Sequence, residues 1–97
     1  MTAPVDTILT EVAEELHTSK DELIREGLQS FLERELRRVQ AEIFEITSRY
    51  NISSVEEMEA KYQDGTLEET DSWRDLQRLD HLEYKRDRFQ RLLKMLS

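Results

Sequence analysis

The sequence predicts an all-α protein, a long helical hairpin with coiled-coil-like seams that forms an intertwined homodimer. The 97 residues include two glycines and one proline, and Glu, Leu, Lys, Arg and Gln dominate, as in long helices. Apolar residues recur at steps of three and four along two long stretches, which is the period of a helical seam. Apolar and charged residues each make up 37% of the chain. The apolar fraction is large enough for narrow helical seams but too small for a broad core. We therefore expect a partner chain to cover the seams.

The chain carries a net charge of -8 that is spread along its length. Such acidity repels nucleic acid and anionic membranes and attracts basic partners. Cysteine is absent, which excludes a thiolate metal site and a thiol nucleophile and is typical of a reducing cytoplasm. We expect a cytoplasmic protein with no membrane partner. The start lacks the features of a signal peptide, and no apolar run reaches the roughly 18 residues that span a bilayer.

The first helix is predicted from Asp6 to His17. Pro4 precedes it, and Asp6 or Thr7 can cap its first amides. We expect His17 to lie at the helix C-terminus, where a proton on its ring suits the helix dipole. The apolar side chains of this helix fall on one stripe, which consists of Val5, Ile8, Leu9, Val12 and Leu16.

The second helix is predicted from Lys20 to Tyr50 and is the dominant element. Ser19 and Glu22 form a capping box at its start, and Asn51 is the expected left-handed cap at its end. At about 1.5 Å per residue the helix is roughly 46 Å long. Its apolar face is broad up to Leu32 and then narrows to a heptad seam, which consists of Leu36, Val39, Ile43, Ile46 and Tyr50.

A short third helix is predicted to run to about Gln63. A second capping box, formed by Ser53 and Glu56, precedes it. Gly65 stands where a glycine usually follows a helix C-terminus. Residues 66–70 are predicted to form a loop.

The fourth helix is predicted to begin with Asp71 or Ser72 as its cap and to run to about Leu96. Its apolar residues follow a heptad-like spacing that Arg86 interrupts. We expect it to pack antiparallel to the second helix, because the third helix makes only a short connection between them. Residues 1–50 would then hold the dimerising helices, and residues 51–97 the partner-binding helices.

Paired carboxylates are the first candidates for chemistry. Glu42 and Glu45, followed by Glu68 and Asp71, have the spacing with which a family of all-α nucleotide pyrophosphatases binds magnesium. In a chain with 22 acids such spacing arises by chance, and solvated helix faces are the favoured interpretation. Neither His17 nor any other histidine has a histidine partner four residues away. We therefore predict no catalytic residue, no metal and no cofactor.

A basic cluster lies in the last helix. Its candidate nucleic-acid contacts are Lys85, Arg88 and Arg91. The favoured interpretation is that these cations complement the C-terminal end of the helix dipole and pair with acids of the second helix. Contact with DNA or with an acidic protein surface is the alternative.

The run SKDELIREGLQSFL, from Ser19 to Leu32, resembles the second helix of ribbon-helix-helix proteins. In that family two helices interlock with their copies to form a dimer. The family reads DNA with a strand before its first helix, and here we expect that strand to be missing, since the first basic residue is Lys20. The resemblance implies a dimer interface that consists of Leu16, Leu23, Ile24, Leu28, Phe31 and Leu32.

The whole chain is similar to the small acidic antitoxins that bacteria and archaea encode beside toxin genes. These join a ribbon-helix-helix-like first half to a helical second half that wraps a toxin, in many cases a basic ribonuclease. The resemblance implies a homodimer that neutralises a small basic toxin. The residues of the second half that we predict to contact the partner are Met58, Tyr62, Trp73, Leu76 and Phe89.

Three alternative functions follow from the same residues. The chain could repress its own promoter as a ribbon-helix-helix DNA-binding protein, in which case DNA is the partner. It could be a coiled-coil adaptor without a toxin. The alternative with the weakest support is a magnesium-dependent nucleotide pyrophosphatase that uses the paired carboxylates.

Overall fold

The computed structural model describes residues 2–67 and 69–97, except for the side chains of residues 69–71. The described residues form four helices and no strand, in the order α1 (Val5–Glu15), α2 (Lys20–Tyr50), α3 (Val55–Gln63) and α4 (Glu69–Leu96). The predicted all-α helical hairpin is confirmed. Within these residues, no helix combines the length and the apolar character that crossing a membrane demands.

Helices α2 and α4 pack against each other antiparallel. Glu42 of α2 forms an ion pair with Arg78 of α4, and Arg25 near the start of α2 donates to the carbonyl of Leu96, at 3.4 Å. Helix α3 joins the two at one end of the hairpin, which we call the closed end. At the other end, the open end, α2 begins and α4 finishes. The start of α1 is held to the start of α2 by an ion pair of 3.1 Å between Asp6 Oδ1 and Lys20 Nζ.

Three of the helices end in the same way. His17, Asn51 and Gly65 follow α1, α2 and α3 and have left-handed backbone angles, with φ of 55°, 54° and 81°. In each case the amide of the next residue donates to the carbonyl five residues earlier, at 2.9 to 3.0 Å. This bond satisfies a carbonyl that the helix end would otherwise leave free. The predicted roles of Asn51 and Gly65 are confirmed.

Helix α1 departs from its predicted bounds. It begins at Val5 with Pro4 as its cap residue and no side-chain cap, because the amides of Thr7 and Ile8 reach the Pro4 carbonyl. Asp6, one of the two predicted caps, instead pairs with Lys20. The helix ends at Glu15, two residues before the predicted His17.

The caps of α3 and α4 also differ from the prediction. Ser54, and not Ser53, caps α3, since its hydroxyl accepts from the amide of Glu57 at 3.2 Å. Ser53 instead donates its hydroxyl and its amide to the Glu57 carboxylate, at 2.7 and 2.9 Å. Helix α4 begins at Glu69, earlier than the predicted cap at Asp71 or Ser72. An acidic start of this kind is favourable at the positive end of the helix dipole.

The core lies in the closed half of the hairpin. Met58 and Leu79 are fully buried there, and Tyr50, Val55 and Phe89 pack against the core at its edge. The heptad seam predicted for α2 supplies one wall, and α3 and α4 supply the others. The buried residues of this core are Val39, Ile46, Ile52, Met58, Leu76, Leu79 and Leu82.

The molecule is elongated, with extents of 61 × 33 × 16 Å. Its radius of gyration is 19.7 Å, whereas a compact domain of this length has about 13 Å. Its accessible surface is 7568 Å², whereas a compact monomer of 11.6 kDa exposes about 5,800 Å². The single chain therefore leaves far more surface in water than its mass requires.

Candidate functional site

The open end carries an apolar groove between the start of α2 and the end of α4. Its walls include Ile24 and Leu28 on one side and Met95 on the other, and its volume is about 490 Å³. Ile24 and Leu28 are nearly half exposed and Met95 is 73% exposed. The charged lining residues Asp21 and Arg25 bond to each other at 3.2 Å. We call this surface the open-end groove.

Three residues of the predicted dimer interface, Ile24, Leu28 and Leu32, line this groove. Ile24, Leu28 and Phe31 are exposed, as is Leu16 at 62%. Leu23 and Leu32 are half-buried, and Leu32 lines the groove. Large apolar side chains of this kind are normally covered when they occur together. The structure thus leaves the sequence-predicted residues available to a partner chain.

Helix α1 adds a second exposed apolar surface near the open end. Val5 is 79% exposed and Ile8 is 45% exposed, and both belong to the stripe that the sequence predicts. Ala13, on the same helix, is buried. Because α1 buries only part of its stripe within the chain, its remaining apolar surface faces water.

A second groove lies at the closed end, between α3 and α4. Tyr62 of α3 and Trp73 of α4 form one side of it, with ring centroids 5.7 Å apart and planes inclined by 44°. Leu76 lines it and is buried, whereas Trp73 is 47% exposed. We call this surface the aromatic groove. Its volume is about 380 Å³, and its other lining residues are Glu59, Gln63, Gln77 and Asp80.

The structure places some of the five predicted partner-contact residues in the aromatic groove and the others in or against the core. Tyr62 and Trp73 meet in the aromatic groove. Met58 and Leu76 are 0% and 7% exposed, because α2, α3 and α4 enclose them as core, and Leu76 also lines the aromatic groove. Phe89 is half-buried and packs against the same core.

A polar cluster ties the end of α2 to α4 beside the core. Arg49 Nη1 lies 2.7 Å from Asp75 Oδ2, and the hydroxyl of Tyr50 donates to the same carboxylate oxygen. Burial, reinforced by this hydrogen bond, raises the pKa of Tyr50 above its usual value. The hydrogen bond to Asp75 likewise raises the pKa of Arg49. Both side chains from the end of α2 therefore contact one carboxylate of α4 near the closed end.

Two carboxylates near α3 act as caps for the backbone. The hydroxyl and amide of Ser53 donate to Glu57 and lower the pKa of that carboxyl group. The hydroxyl and amide of Thr66 do the same for Asp64. Both acids are therefore engaged in ending or starting a helix, which explains their positions without a ligand.

The candidate nucleic-acid contacts form a row along one side of α4, at every third residue. Arg88 and Arg91 are exposed and Lys85 is half-buried. None of the three has an ion pair with another described residue, whereas the neighbouring Arg86 bonds to Asp87 at 3.0 Å. The pairing with acids of α2 that the sequence predicts for these cations is therefore not found. The ion pairs between α2 and α4 lie nearer the closed end, at Arg78 and Asp75.

The carboxylates proposed for magnesium have other partners where they are described. Glu42 pairs with Arg78, and Glu45 lies 3.6 Å from Arg49. Glu68 and the side chain of Asp71 lie outside the described residues. The described part of the chain contains no cluster of three or more side chains with metal-binding geometry.

Sequence reasoning missed part of both grooves. Met95 stands off the seam of α4, and only the pairing of the two chain segments brings it beside Ile24 and Leu28. Glu59 and Asp80 belong to different helices, and no sequence spacing connects them. A signal did exist within α4, since Trp73, Gln77 and Asp80 recur at steps of four and three on one stripe.

Comparison with known proteins gives a family and no closer relative. No curated protein and no solved structure is detectably similar to the chain. The family match extends over the whole length of the sequence. Residues 1–97 match the uncharacterized protein MJ0235 family, and the chain belongs to that family.

Proposed function

We propose that the protein is a homodimerising protein-interaction module of the antitoxin type, which binds a small basic protein. The observation that carries this proposal is the set of large apolar side chains exposed at the open end. Leu16, Ile24, Leu28 and Phe31 are each between 46% and 62% exposed in the single chain. These are the positions at which the resemblance to ribbon-helix-helix proteins implies a dimer interface.

The surface area of the chain supports self-association. The excess over a compact monomer of the same mass is on the order of 1,700 Å², since the chain exposes 7568 Å². A standard interface removes about 800 Å² from each partner. The open-end groove and the stripe of α1 belong to the same chain, so two copies can cover both surfaces without any other protein.

The acidity of the chain and of the aromatic groove supports a basic partner. Glu59 and Asp80 line the aromatic groove, and the whole chain has a net charge of -8. Complementary charge raises the association rate and disfavours acidic competitors. The aromatic side chains of the groove, Tyr62 and Trp73, are of the kind that anchor protein interfaces.

The mass of the protein in solution tests self-association. Light scattering after size exclusion is expected to give twice the monomer mass of 11.6 kDa. Leu28→Glu places a charge in the open-end groove and should shift the protein to monomer, because burying an unpaired carboxylate is costly. The matched control is Phe44→Glu, at an exposed residue of α2 outside the open-end groove.

The two variants separate the outcomes. A monomeric wild-type chain at all concentrations contradicts self-association. Equal dissociation by both variants contradicts the assignment to the open end. Circular dichroism of each variant should show that the helices persist, since both changes are at exposed positions of α2.

Co-expression tests the antitoxin role. The product of the neighbouring gene should inhibit growth when expressed alone, and it should co-elute with this chain and become harmless when both are present. A neighbour that is harmless alone contradicts the antitoxin role. The dimer measurement above is unaffected by that result, and a dimer without a toxin would then be a coiled-coil adaptor.

A further inference from the structure

The aromatic groove at the closed end presents an exposed tryptophan that packs against a second aromatic ring. Trp73 is 47% exposed, although it is the one tryptophan of the chain and tryptophan is usually well buried. It is packed against Tyr62, with 5.7 Å between the ring centroids. The pair is thus supported from within and still presents aromatic surface to water.

The groove is acidic as well as aromatic. Glu59 from α3 and Asp80 from α4 line it, and neither forms an ion pair with another described residue. No lysine or arginine is among the described residues that line it. The groove thus places two carboxylates beside two aromatic rings, and no described cation of the chain lines it. This combination favours the binding of a positively charged group of another molecule.

The stripe of α4 that lines the groove remains aromatic and polar beyond the groove, towards the C-terminus of the helix. Trp73, Gln77 and Asp80 lie on it, and Tyr84 follows one turn later with 60% of its surface exposed. The chain therefore offers an aromatic and acidic strip along α4 and not an isolated pocket. A strip of this kind suits a segment of polypeptide better than a small molecule.

We propose that the aromatic groove binds an arginine side chain of a basic protein partner. A guanidinium group stacks on tryptophan and tyrosine faces and can bond to carboxylates with its fork of donors. It is also more weakly hydrated than an ammonium group, so arginine fits this surface better than lysine. The buried Leu76 in the groove can pack against the aliphatic part of the side chain.

The inference rests on the proposed function only in taking a basic protein as the partner. The open-end groove and the aromatic groove occupy opposite ends of the hairpin. Self-association and arginine binding are therefore measured on different residues, and either can fail without the other.

Trp73 provides the signal for the test, because its fluorescence reports only on this groove. The full chain is titrated with a blocked tetra-arginine peptide and, separately, with a tetra-lysine peptide of equal charge. We expect a saturable change in Trp73 fluorescence, with the arginine peptide binding more tightly. The double variant Glu59→Gln/Asp80→Asn should raise the dissociation constant about tenfold.

A control variant removes the same charge elsewhere. Glu11→Gln/Glu26→Gln changes two exposed acids near the open end and should leave the dissociation constant within about twofold. Tyr62→Leu keeps the groove apolar but removes one ring, and it should weaken the arginine peptide more than the lysine peptide. Size exclusion and circular dichroism check that each variant keeps its assembly and its helices.

Three results would overturn the assignment. The first is the absence of a saturable fluorescence change at low salt. The second is an equal loss of binding in the groove variant and in the control variant, which would mean general attraction to an acidic chain. The third is equal affinity for the lysine and arginine peptides, which would remove the role of the aromatic rings.

Discussion

Met58 illustrates how one residue of the short helix α3 holds the closed end together. Its side chain is fully buried against α2 and α4. Met58→Ala removes most of that contact and leaves a cavity. We expect the free energy of unfolding to fall by about 2–5 kcal/mol, measured by urea denaturation followed by circular dichroism.

The control for that prediction is Glu56→Ala. Glu56 lies on the exposed face of the same helix, so its replacement tests helix propensity without touching the core. Its effect should stay within about 0.5 kcal/mol. If Met58→Ala proves as mild as this control, α3 is not a structural part of the core.

Replacement by glycine should have opposite effects on helix stability at the two histidines. His17 has a left-handed backbone with φ of 55°, which costs an ordinary residue roughly 1 kcal/mol and a glycine much less. His17→Gly should therefore stabilise the end of α1 by about 0.5 kcal/mol, after the greater freedom of unfolded glycine is subtracted. His81 lies inside α4 and is exposed, so His81→Gly should destabilise that helix by about 1 kcal/mol.

Hydrogen exchange of the backbone amides of α1 and α4 measures both effects. Because both variants replace histidine by glycine, each serves as the control for the other. Destabilisation of α1 by His17→Gly would contradict the left-handed geometry at that position.

At the scale of the elements, the contact of Tyr50 with Asp75 predicts how the α2–α4 pair responds to alkaline pH. Burial and the hydrogen bond to Asp75 raise the pKa of Tyr50 in the folded chain above its unfolded value of about 10. The resulting stabilisation is complete below about pH 10 and is lost as pH rises through the folded pKa. Tyr50→Phe should thus be less stable than wild type at pH 8, with a gap that closes above pH 10.

The exposed Tyr84 provides the comparison. Tyr84→Phe makes the same chemical change at an exposed residue of α4 and should change the free energy of unfolding at pH 8 by less than about 0.5 kcal/mol. Urea denaturation at a series of pH values gives both curves. A gap between wild type and Tyr50→Phe that is constant from pH 8 to pH 11 would contradict the role of the half-buried Tyr50 hydroxyl.

The bounds of α2 could be predicted from the sequence because both of its ends are encoded locally. Ser19 accepts from the amide of Glu22 at 3.0 Å, and Asn51 adopts the left-handed cap. The caps of α3 were harder to predict, since Ser53 and Ser54 are adjacent and only three-dimensional contacts show which one caps. The start of α4 lacks a comparable local signal, and the predicted cap at Asp71 or Ser72 puts the first helical residue three or four positions after Glu69.

At the scale of the whole molecule, the exposed open end predicts that stability depends on protein concentration. The proposed dimerisation would stabilise the folded state by mass action, so the melting temperature should rise as the protein becomes more concentrated. Leu28→Glu should melt at a temperature that does not change with concentration. Thermal unfolding over a hundredfold range of concentration gives the result, and a constant melting temperature for the wild-type chain would contradict the dimer.

The candidate site was only partly predictable at this scale. The sequence indicated Leu28 and Phe31 as interface residues, because the spacing of the apolar residues alone shows a face too wide for one neighbouring helix. It also placed Met58 on a partner surface, whereas Met58 is fully buried in the core, because apolar spacing does not distinguish the inside of a hairpin from its outside. The aromatic groove depends on α3 and α4 meeting, and no local pattern contains that information.

The 61 Å length of the chain has a consequence for stoichiometry. If the proposed dimer joins end to end at its open ends, its two closed ends, each with a Tyr62–Trp73 pair, would lie at opposite poles of the assembly. A small globular partner cannot span both poles, so two copies of this chain would take up two partners independently and without avidity. The complex would then be a linear assembly with partner, dimer and partner in sequence, and its partners would dissociate one at a time.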